Sequence, residues 1–160
     1  MTDEIWVLHV DDEEDFVETT TTFLERRYDR FVVEAATEAR EALDRLSEEG
    51  FDCVVSDYEM PDMNGIELLE AVQEEYDEIP FILFTGRGNE EIASEAISAG
   101  VTDYLRKRGS AEQYTILANR IVKAVETARA KAEARRNQKR FESLSEAFPD
   151  VAFYIDEEGR

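Results

Sequence analysis

Five polar residues stand at the ends of short apolar runs, where they could meet at one edge of a sheet. They are Asp11, Asp12, Asp57, Thr85 and Lys107. Three carboxylates held together repel one another and raise one another's pKa unless a cation neutralises them. Mg²⁺ suits such a set, because it takes one or two carboxylates and keeps waters and room for phosphate oxygens. We therefore predict a Mg²⁺ site, which Mn²⁺ could also fill.

A carboxylate beside a bound Mg²⁺ can attack phosphorus and form an aspartyl phosphate. The metal and Lys107 would offset the negative charge that builds on the transferred phosphoryl oxygens. Thr85 could donate a hydrogen bond to one of these oxygens, and the adjacent Gly86 leaves space for close backbone approach. The set therefore predicts phosphoryl transfer onto one of the carboxylates.

The chain around these residues alternates short apolar runs with longer amphipathic stretches. The runs cover residues 5–10, 31–36, 52–57, 80–85 and 101–106. The helical patterns cover residues 14–28, 38–49, 64–76 and 89–99, and a fifth begins near Ala111. Five strands that are each followed by a helix predict an α/β fold, with a parallel sheet covered on both faces. Ligands of such sheets bind beyond the carboxyl ends of the strands, which brings the five polar residues together.

The fifth helical pattern continues far beyond the length that the sheet needs. No Gly or Pro occurs between Ala111 and Ala147, and the apolar stripe weakens to alanine after Val125. Between Arg120 and Arg140 there are eight basic residues and two acidic ones. Two interpretations remain open. The segment is either a solvated connector helix, able to pair with its copy in a homodimer, or a basic docking patch for an acidic partner.

Composition excludes several classes of protein. The formal net charge of −21 disfavours nucleic acid and anionic membranes as partners. The excess of acids and the scarcity of lysine resemble proteins of salt-loving archaea, with an acidic mesophilic protein as the alternative. The single cysteine, Cys53, and the single histidine, His9, lie in apolar runs and are expected to be packed strand residues. With no signal-like N-terminus and no membrane-length apolar stretch, we expect a soluble, cytoplasmic chain.

Four motifs carry a resemblance to a known family. They are Val10-Asp11-Asp12-Glu13, Ser56-Asp57-Tyr58-Glu59-Met60-Pro61 followed by Asn64-Gly65, Phe84-Thr85-Gly86, and Asp103-Tyr104-Leu105-Arg106-Lys107. In this order and spacing they resemble a response-regulator receiver domain over roughly residues 4–125. The resemblance implies a flavodoxin-like, doubly wound (βα)5 fold with strand order 2-1-3-4-5, here with an extended C-terminal helix.

The resemblance assigns the phosphoacceptor and the metal ligands. It implies that Asp57 accepts a phosphoryl group from a phosphohistidine of a histidine kinase or a phosphotransfer protein. It also implies that Asp11, Asp12 and Asp57 bind Mg²⁺ together with the backbone carbonyl of Glu59. The chain itself would then be a phosphoacceptor and not an enzyme.

The resemblance also assigns residues that bind and report the phosphoryl group. Thr85, Gly86 and Lys107 would contact it, and Thr85 and Tyr104 would form a switch pair. The switch would change the surface formed by the fourth helix, the fifth strand and the fifth helix. One departure concerns the residue after Lys107, where the family often has proline with a cis peptide bond and this chain has Arg108. The conformation of this loop is therefore left open.

Two other functions compete with a phosphoacceptor switch. A haloacid-dehalogenase-type phosphatase also uses a strand-end aspartate and Mg²⁺, but that family has a second aspartate where this chain has Glu59. Its other metal ligands come downstream of the nucleophile, whereas Asp11 and Asp12 lie upstream of Asp57. A receiver that is never phosphorylated and serves only in dimerisation is the other alternative, and the intact acidic set argues against it.

The last stretch of the chain predicts the start of a second domain. From Phe141 the pattern reads as a short helix, a break at Pro149, and a strand that enters a turn near Gly159. This stretch resembles the opening of a PAS sensor domain. We therefore predict a receiver domain at 1–125, a helical linker at 126–146 and a truncated PAS-like start at 147–160. The receiver would control a downstream PAS or kinase module, and a histidine kinase is one candidate for the complete protein.

Overall fold

The structure is a computed structural model, which describes residues 3–76, 78–86 and 88–147, with side chains through residue 142. Strands and helices alternate in the predicted order. The elements are β1 (Ile5–Val10), α1 (Glu14–Arg27), β2 (Phe31–Ala36), α2 (Ala39–Glu48), β3 (Cys53–Ser56), α3 (Gly65–Glu75), β4 (Phe81–Thr85), α4 (Glu90–Ala99), β5 (Asp103–Arg106) and α5 (Glu112–Ala147).

The five strands form one parallel sheet in the order β2-β1-β3-β4-β5. The predicted doubly wound fold is thus confirmed. The chain reverses its direction of winding between β1 and β3, which are neighbours at the centre of the sheet. Their register pairs Val10 with Ser56, the last residue of each strand. The next residues, Asp11 and Asp57, therefore emerge side by side at the carboxyl edge, where sheets of this type bind ligands.

Alternating strand residues divide the core into two layers. Ile5 and Val7 pack with α1 and α5 on one face, whereas Leu8 and Val10 pack with α2, α3 and α4 on the other. Because both faces are covered, the central strands consist almost entirely of buried side chains. His9 and Cys53 are among the buried residues, as the sequence predicts.

Local sequence signals set the ends of two helices on the α3–α4 side. Asn64 and Glu67 form a capping box at the start of α3, in which each side chain accepts a hydrogen bond from the other residue's backbone N–H. Asn89 caps α4, because its side chain accepts a hydrogen bond from the N–H of Ile92. Gly100 ends α4 in the left-handed region, with φ of 93°.

Helix α5 is 36 residues long, and the predicted C-terminal extension of this helix is confirmed. Its first part buries Leu117, Ala118, Ile121 and Val125. Beyond Val125, none of the described side chains is buried. The chain divides into two units at this point, Met1–Val125 and Glu126–Arg160.

The PAS-like start was predicted for residues 147–160, and residues 148–160 lie outside the part of the chain that the structure describes. The predicted domain boundaries therefore stay predictions. Within the part that the structure describes, no helix is both long and apolar enough to cross a membrane.

Candidate functional site

Three carboxylates lie together at the carboxyl edge of the sheet. The sheet fixes two of them, because the N–H of Asp11 donates to the carbonyl of Ala36 at 3.0 Å and the N–H of Asp57 donates to that of Val10 at 2.9 Å. Asp11, Asp12 and Asp57 each offer one ligand oxygen, and these oxygens lie within 4.8 Å of one another. Asp11 and Asp57 are buried, whereas Asp12 is exposed. The structure therefore brings the predicted acids together as a set that could hold a hard cation.

Local backbone groups orient the two buried carboxylates. Asp11 Oδ1 accepts a hydrogen bond from the N–H of Glu13 at 2.9 Å, and Asp57 Oδ1 accepts one from the N–H of Tyr58 at 2.8 Å. The other oxygen of each carboxylate faces Lys107. The Nζ of Lys107 lies 2.7 Å from Asp11 Oδ2 and 3.5 Å from Asp57 Oδ2. One ammonium thus partly neutralises a pair of neighbouring carboxylates.

Lys107 is held at both its backbone and its ammonium group. Its N–H donates to the carbonyl of Thr85 at 3.0 Å, which ties the residue to the end of β4. Its Nζ also lies 4.2 Å from the ring centroid of Phe16, within cation–π range. Phe16 packs in turn against Phe84 and Tyr114, with ring centroids 5.6 and 6.1 Å away. The role of Phe16 was not predicted, although an aromatic residue in the first turn after Asp11 is a signal that could have suggested it.

Burial and neighbouring charges have opposite effects on the pKa values of Asp11 and Lys107. Burial raises the pKa of Asp11, and the hydrogen bond from Lys107 offsets only part of this effect. Burial lowers the pKa of Lys107, but its hydrogen bond to Asp11 and the charges of Asp11 and Asp57 outweigh that effect and leave the pKa raised. Lys107 therefore stays charged at neutral pH. Nearby, burial, assisted by the charge of Lys107, lowers the pKa of His9 to about 3 and keeps its imidazole neutral.

The remaining predicted phosphoryl ligands lie at the end of β4. Thr85 is buried at the last position of this strand, next to Arg106 on β5. Gly86 is exposed, and a Cβ built there would meet Lys107 Cδ at 3.8 Å, an ordinary contact. The fold itself therefore has room for a side chain at position 86. Glu59 is exposed, and the role of its backbone carbonyl stays a prediction.

Tyr104 packs against the α2–α3–α4 layer, and its hydroxyl is buried with no hydrogen-bond partner among the described residues. A Cβ built on Gly88 would lie 1.7 Å from this hydroxyl oxygen. Only glycine at position 88 therefore leaves the space that Tyr104 occupies. No role for Gly88 could be predicted from the sequence, because the contact depends on the side-chain conformation of Tyr104.

The loop after Lys107 has a trans peptide bond at the position where the family often has a cis proline. No cis peptide bond occurs among the described residues, so the Lys107–Arg108 peptide is trans. The N–H of Arg108 donates to the side chain of Gln113, a buried residue for which the sequence suggested no role. Proline could not make this bond, because it has no N–H.

The sequence matches the family described as the response regulator receiver domain over residues 7–119. This match spans more than half of the chain, and the chain belongs to that family. The transcriptional regulatory protein FixJ of Bradyrhizobium diazoefficiens is 36% identical over 104 residues, which is 65% of this chain and 50% of FixJ. The response regulator SaeR of Staphylococcus aureus is 31% identical over 116 residues, or 72% of this chain and 50% of SaeR. The chain thus spans about half the length of these curated relatives.

Solved structures show the same fold. The chemotaxis protein CheY4 of Vibrio cholerae matches with a TM-score of 0.67 and 29% identity, covering 74% of this chain and 98% of CheY4. A CheY-like receiver domain protein of Methanospirillum hungatei matches with a TM-score of 0.72 and 26% identity, covering 80% of this chain and 98% of that protein. The beryllofluoride-activated NtrC4 receiver domain dimer matches with a TM-score of 0.68 and 30% identity, over 77% of this chain and 98% of the NtrC4 chain.

Proposed function

We propose that Asp57 accepts a phosphoryl group and that the chain works as a switch in two-component signal transduction. One observation carries the proposal. The buried carboxylate of Asp57 shares a cluster with Asp11 and Asp12 and lies 3.5 Å from the ammonium of Lys107. Acids and a cation in this arrangement suit the negative charge of a phosphoryl group that arrives with a metal ion.

The donor in this proposal is the phosphohistidine of a histidine kinase or a phosphotransfer protein. One oxygen of Asp57 forms a bond to phosphorus, while the bond from phosphorus to the imidazole nitrogen of the donor breaks. The leaving nitrogen keeps the electron pair of that bond. Lys107 stabilises the charge on the phosphoryl oxygens, since its ammonium already stands beside Asp57. Thr85 and Gly86, at the end of β4, contact the same oxygens.

The donor set fits Mg²⁺, with Mn²⁺ as a substitute. The cluster contains three carboxylates, and the Lys107 ammonium pairs with two of them, so the cluster carries excess negative charge that a divalent cation would balance. Asp11, Asp12 and Asp57 would hold the ion together with the backbone carbonyl of Glu59. When bound, the ion supplies charge neutralisation for the oxygens of the transferred group.

The readout in this proposal is Tyr104 together with Thr85. Phosphorylation adds charge at the sheet edge, and Thr85 moves toward it. Tyr104 lies on β5 and packs against the layer that contains α4, so a change in its packing alters the surface of α4, β5 and α5. That surface would control a downstream PAS or kinase module of a longer protein. A homodimer through α5 is part of the same proposal, because α5 has no buried described side chain after Val125.

The test of phosphorylation is the mass of the intact chain after incubation with Mg²⁺ and acetyl phosphate. We expect the wild type to gain one phosphate and Asp57→Asn to gain none, and a chelator should prevent the gain. Asp44→Asn is a matched control, because Asp44 lies on α2, away from the acidic cluster. A wild type that gains no phosphate, or an Asp57→Asn variant that still gains it, would contradict the proposal. Continuous turnover of a phosphate ester would instead indicate a phosphatase.

A further inference from the structure

One buried side chain holds the backbone of the loop that follows Lys107. The N–H of Arg108 donates to Gln113 Oε1 at 2.7 Å, and the N–H of Gly109 donates to the same oxygen at 3.3 Å. Gln113 is the second residue of α5 and is 5% exposed. A buried amide oxygen needs hydrogen-bond donors, and here both donors come from the loop. The side chain of Gln113 thus fixes two successive residues of the loop.

The same loop is closed from its other side. Gly109 has φ of +76°, in the left-handed region that favours glycine, and it turns the chain toward Ser110. The N–H of Gln113 then donates to the carbonyl of Ser110 at 3.2 Å. Gln113 therefore contacts the loop through both its side chain and its backbone, and this arrangement ties the loop to the first turn of α5.

Lys107 stands between two fixed points of the backbone. On one side, its own N–H donates to the carbonyl of Thr85 on β4. On the other side, the next N–H, that of Arg108, is held by Gln113. The position of the Lys107 backbone determines where its ammonium can reach, and this ammonium lies 2.7 Å from Asp11 and 3.5 Å from Asp57.

We propose that Gln113 is a positioning residue for Lys107. By fixing the peptide that follows the lysine, the Gln113 side-chain oxygen sets the place of the ammonium relative to Asp57. The inference rests on the proposed function, because it concerns the contribution of Lys107 to phosphoryl transfer. A misplacement of ~1 Å in a charge-stabilising group is enough to slow a reaction strongly.

The experiment compares phosphorylation rates with acetyl phosphate and Mg²⁺ in the wild type and five variants. Gln113→Met keeps the length and burial of the side chain but lacks the amide oxygen, and Gln113→Asn withdraws that oxygen by one methylene. Gln113→Glu keeps an acceptor oxygen at the same place. Lys107→Met, alone and combined with Gln113→Met, removes the group on which Gln113 is proposed to act.

We expect Gln113→Met and Gln113→Asn to slow phosphorylation about fivefold, which corresponds to about 1 kcal/mol, the net contribution of one hydrogen bond. Gln113→Glu should retain most of the rate. In the Lys107→Met background, Gln113→Met should cause no further loss, since the positioned group is absent. Amide exchange at Arg108 and Gly109 should accelerate in the Met and Asn variants but not in the Glu variant.

The outcomes separate this inference from the proposed function. If the wild type takes up no phosphate, the proposed function fails. If the wild type is phosphorylated at Asp57 and the Met and Asn variants react at the wild-type rate, only the role of Gln113 is overturned. An equal loss with and without Lys107 also overturns it, because a merely structural residue would act on both backgrounds alike. Since Gln113→Asn is the smaller change, it decides the question if Gln113→Met fails to fold.

Discussion

The ammonium nitrogen of Lys107 lies 2.7 Å from Oδ2 of Asp11, and the two side chains are 14% and 0% exposed. The same nitrogen is 3.5 Å from Asp57 Oδ2. In the chain without metal, the lysine is therefore the counter-ion of two buried carboxylates. A divalent cation that binds Asp11 has to share this carboxylate with the ammonium or displace the ammonium from it.

Replacing Lys107 by methionine should therefore destabilise the metal-free protein. We expect the free energy of unfolding to fall by about 3 kcal/mol in a chelator, because the buried Asp11 carboxylate loses its partner. Mg²⁺ should stabilise the variant more than the wild type, since the ion no longer competes with an ammonium. Denaturant unfolding with and without Mg²⁺ measures both effects.

Lys107→Arg is the matched control, because it keeps the positive charge at the end of a long side chain. It should lose less metal-free stability than Lys107→Met. Equal stability of the Met variant and the wild type in a chelator would show that the ion pair with Asp11 does not contribute to the fold.

Gly65 lies against the backbone of Asp57, and we expect that an alanine side chain would not fit there. A Cβ at this position would lie 2.4 Å from the backbone oxygen of Asp57 and 2.7 Å from Leu83 Cδ1. We expect Gly65→Ala to lower the free energy of unfolding by about 1–3 kcal/mol, as overpacking does. Gly50→Ala is the control, because no atom lies within 4 Å of its built Cβ. A stable Gly65→Ala variant with unchanged phosphorylation would show that the backbone at Asp57 can shift freely.

The grouping of the acids could be predicted from the sequence, because in a parallel sheet strand ends share one edge. Asp11 and Asp57 follow strands whose buried runs are easy to recognise, and their place requires no knowledge of side-chain conformation. Lys107 could be predicted for the same reason. The length of α5 could also be predicted, because neither Gly nor Pro, the residues that most often end a helix, occurs within it.

The contacts that hold this set in place could not be predicted in the same way. The fit of Tyr104 against Gly88 depends on a side-chain conformation, and the bonds from Arg108 to Gln113 depend on the path of a five-residue loop. Local sequence patterns report periodicity and caps, whereas these contacts arise only after the layers pack. Gly50 shows that such a local pattern can mislead. A glycine just after a helix is typical of a left-handed helix C-terminus, but Gly50 does not have a positive φ and α2 ends in extended backbone at Glu49.

Gly88→Ala should force Tyr104 out of its buried position. The added Cβ would lie 1.7 Å from the tyrosine hydroxyl and 2.9 Å from Cζ, so the ring has to move. Because burial raises the pKa of Tyr104, displacement of the ring should bring this pKa back toward its ordinary value. Ring chemical shifts of labelled tyrosine, followed against pH, measure both the displacement and the pKa.

Gly86→Ala is the control for the Tyr104 displacement, because its Cβ would meet Lys107 Cδ at 3.8 Å and Lys107 Cβ at 3.9 Å, both ordinary contacts. It should leave the Tyr104 signals unchanged. The double variant Gly88→Ala with Tyr104→Phe should recover part of any lost stability, since phenylalanine lacks the clashing hydroxyl. If the Tyr104 signals are the same in Gly88→Ala and in the wild type, the backbone at position 88 yields instead of the ring.

His9 should make the metal-free protein sensitive to acid. Its imidazole is buried against Phe16, and the charged group that acts on it is Lys107. Burial lowers the pKa of His9 from 6.5 to about 3. Between these two pH values the imidazole is protonated in the unfolded chain but neutral in the folded chain. Stability is therefore lost as the pH falls from 6.5 toward 3, by about 2 kcal/mol at pH 5.

His9→Leu cannot titrate at this position and should remove this loss of stability. Denaturant unfolding of the wild type and of His9→Leu, measured in a chelator from pH 7 to pH 5, isolates the contribution of His9. Parallel curves for the variant and the wild type would mean that His9 takes up its proton in the folded protein.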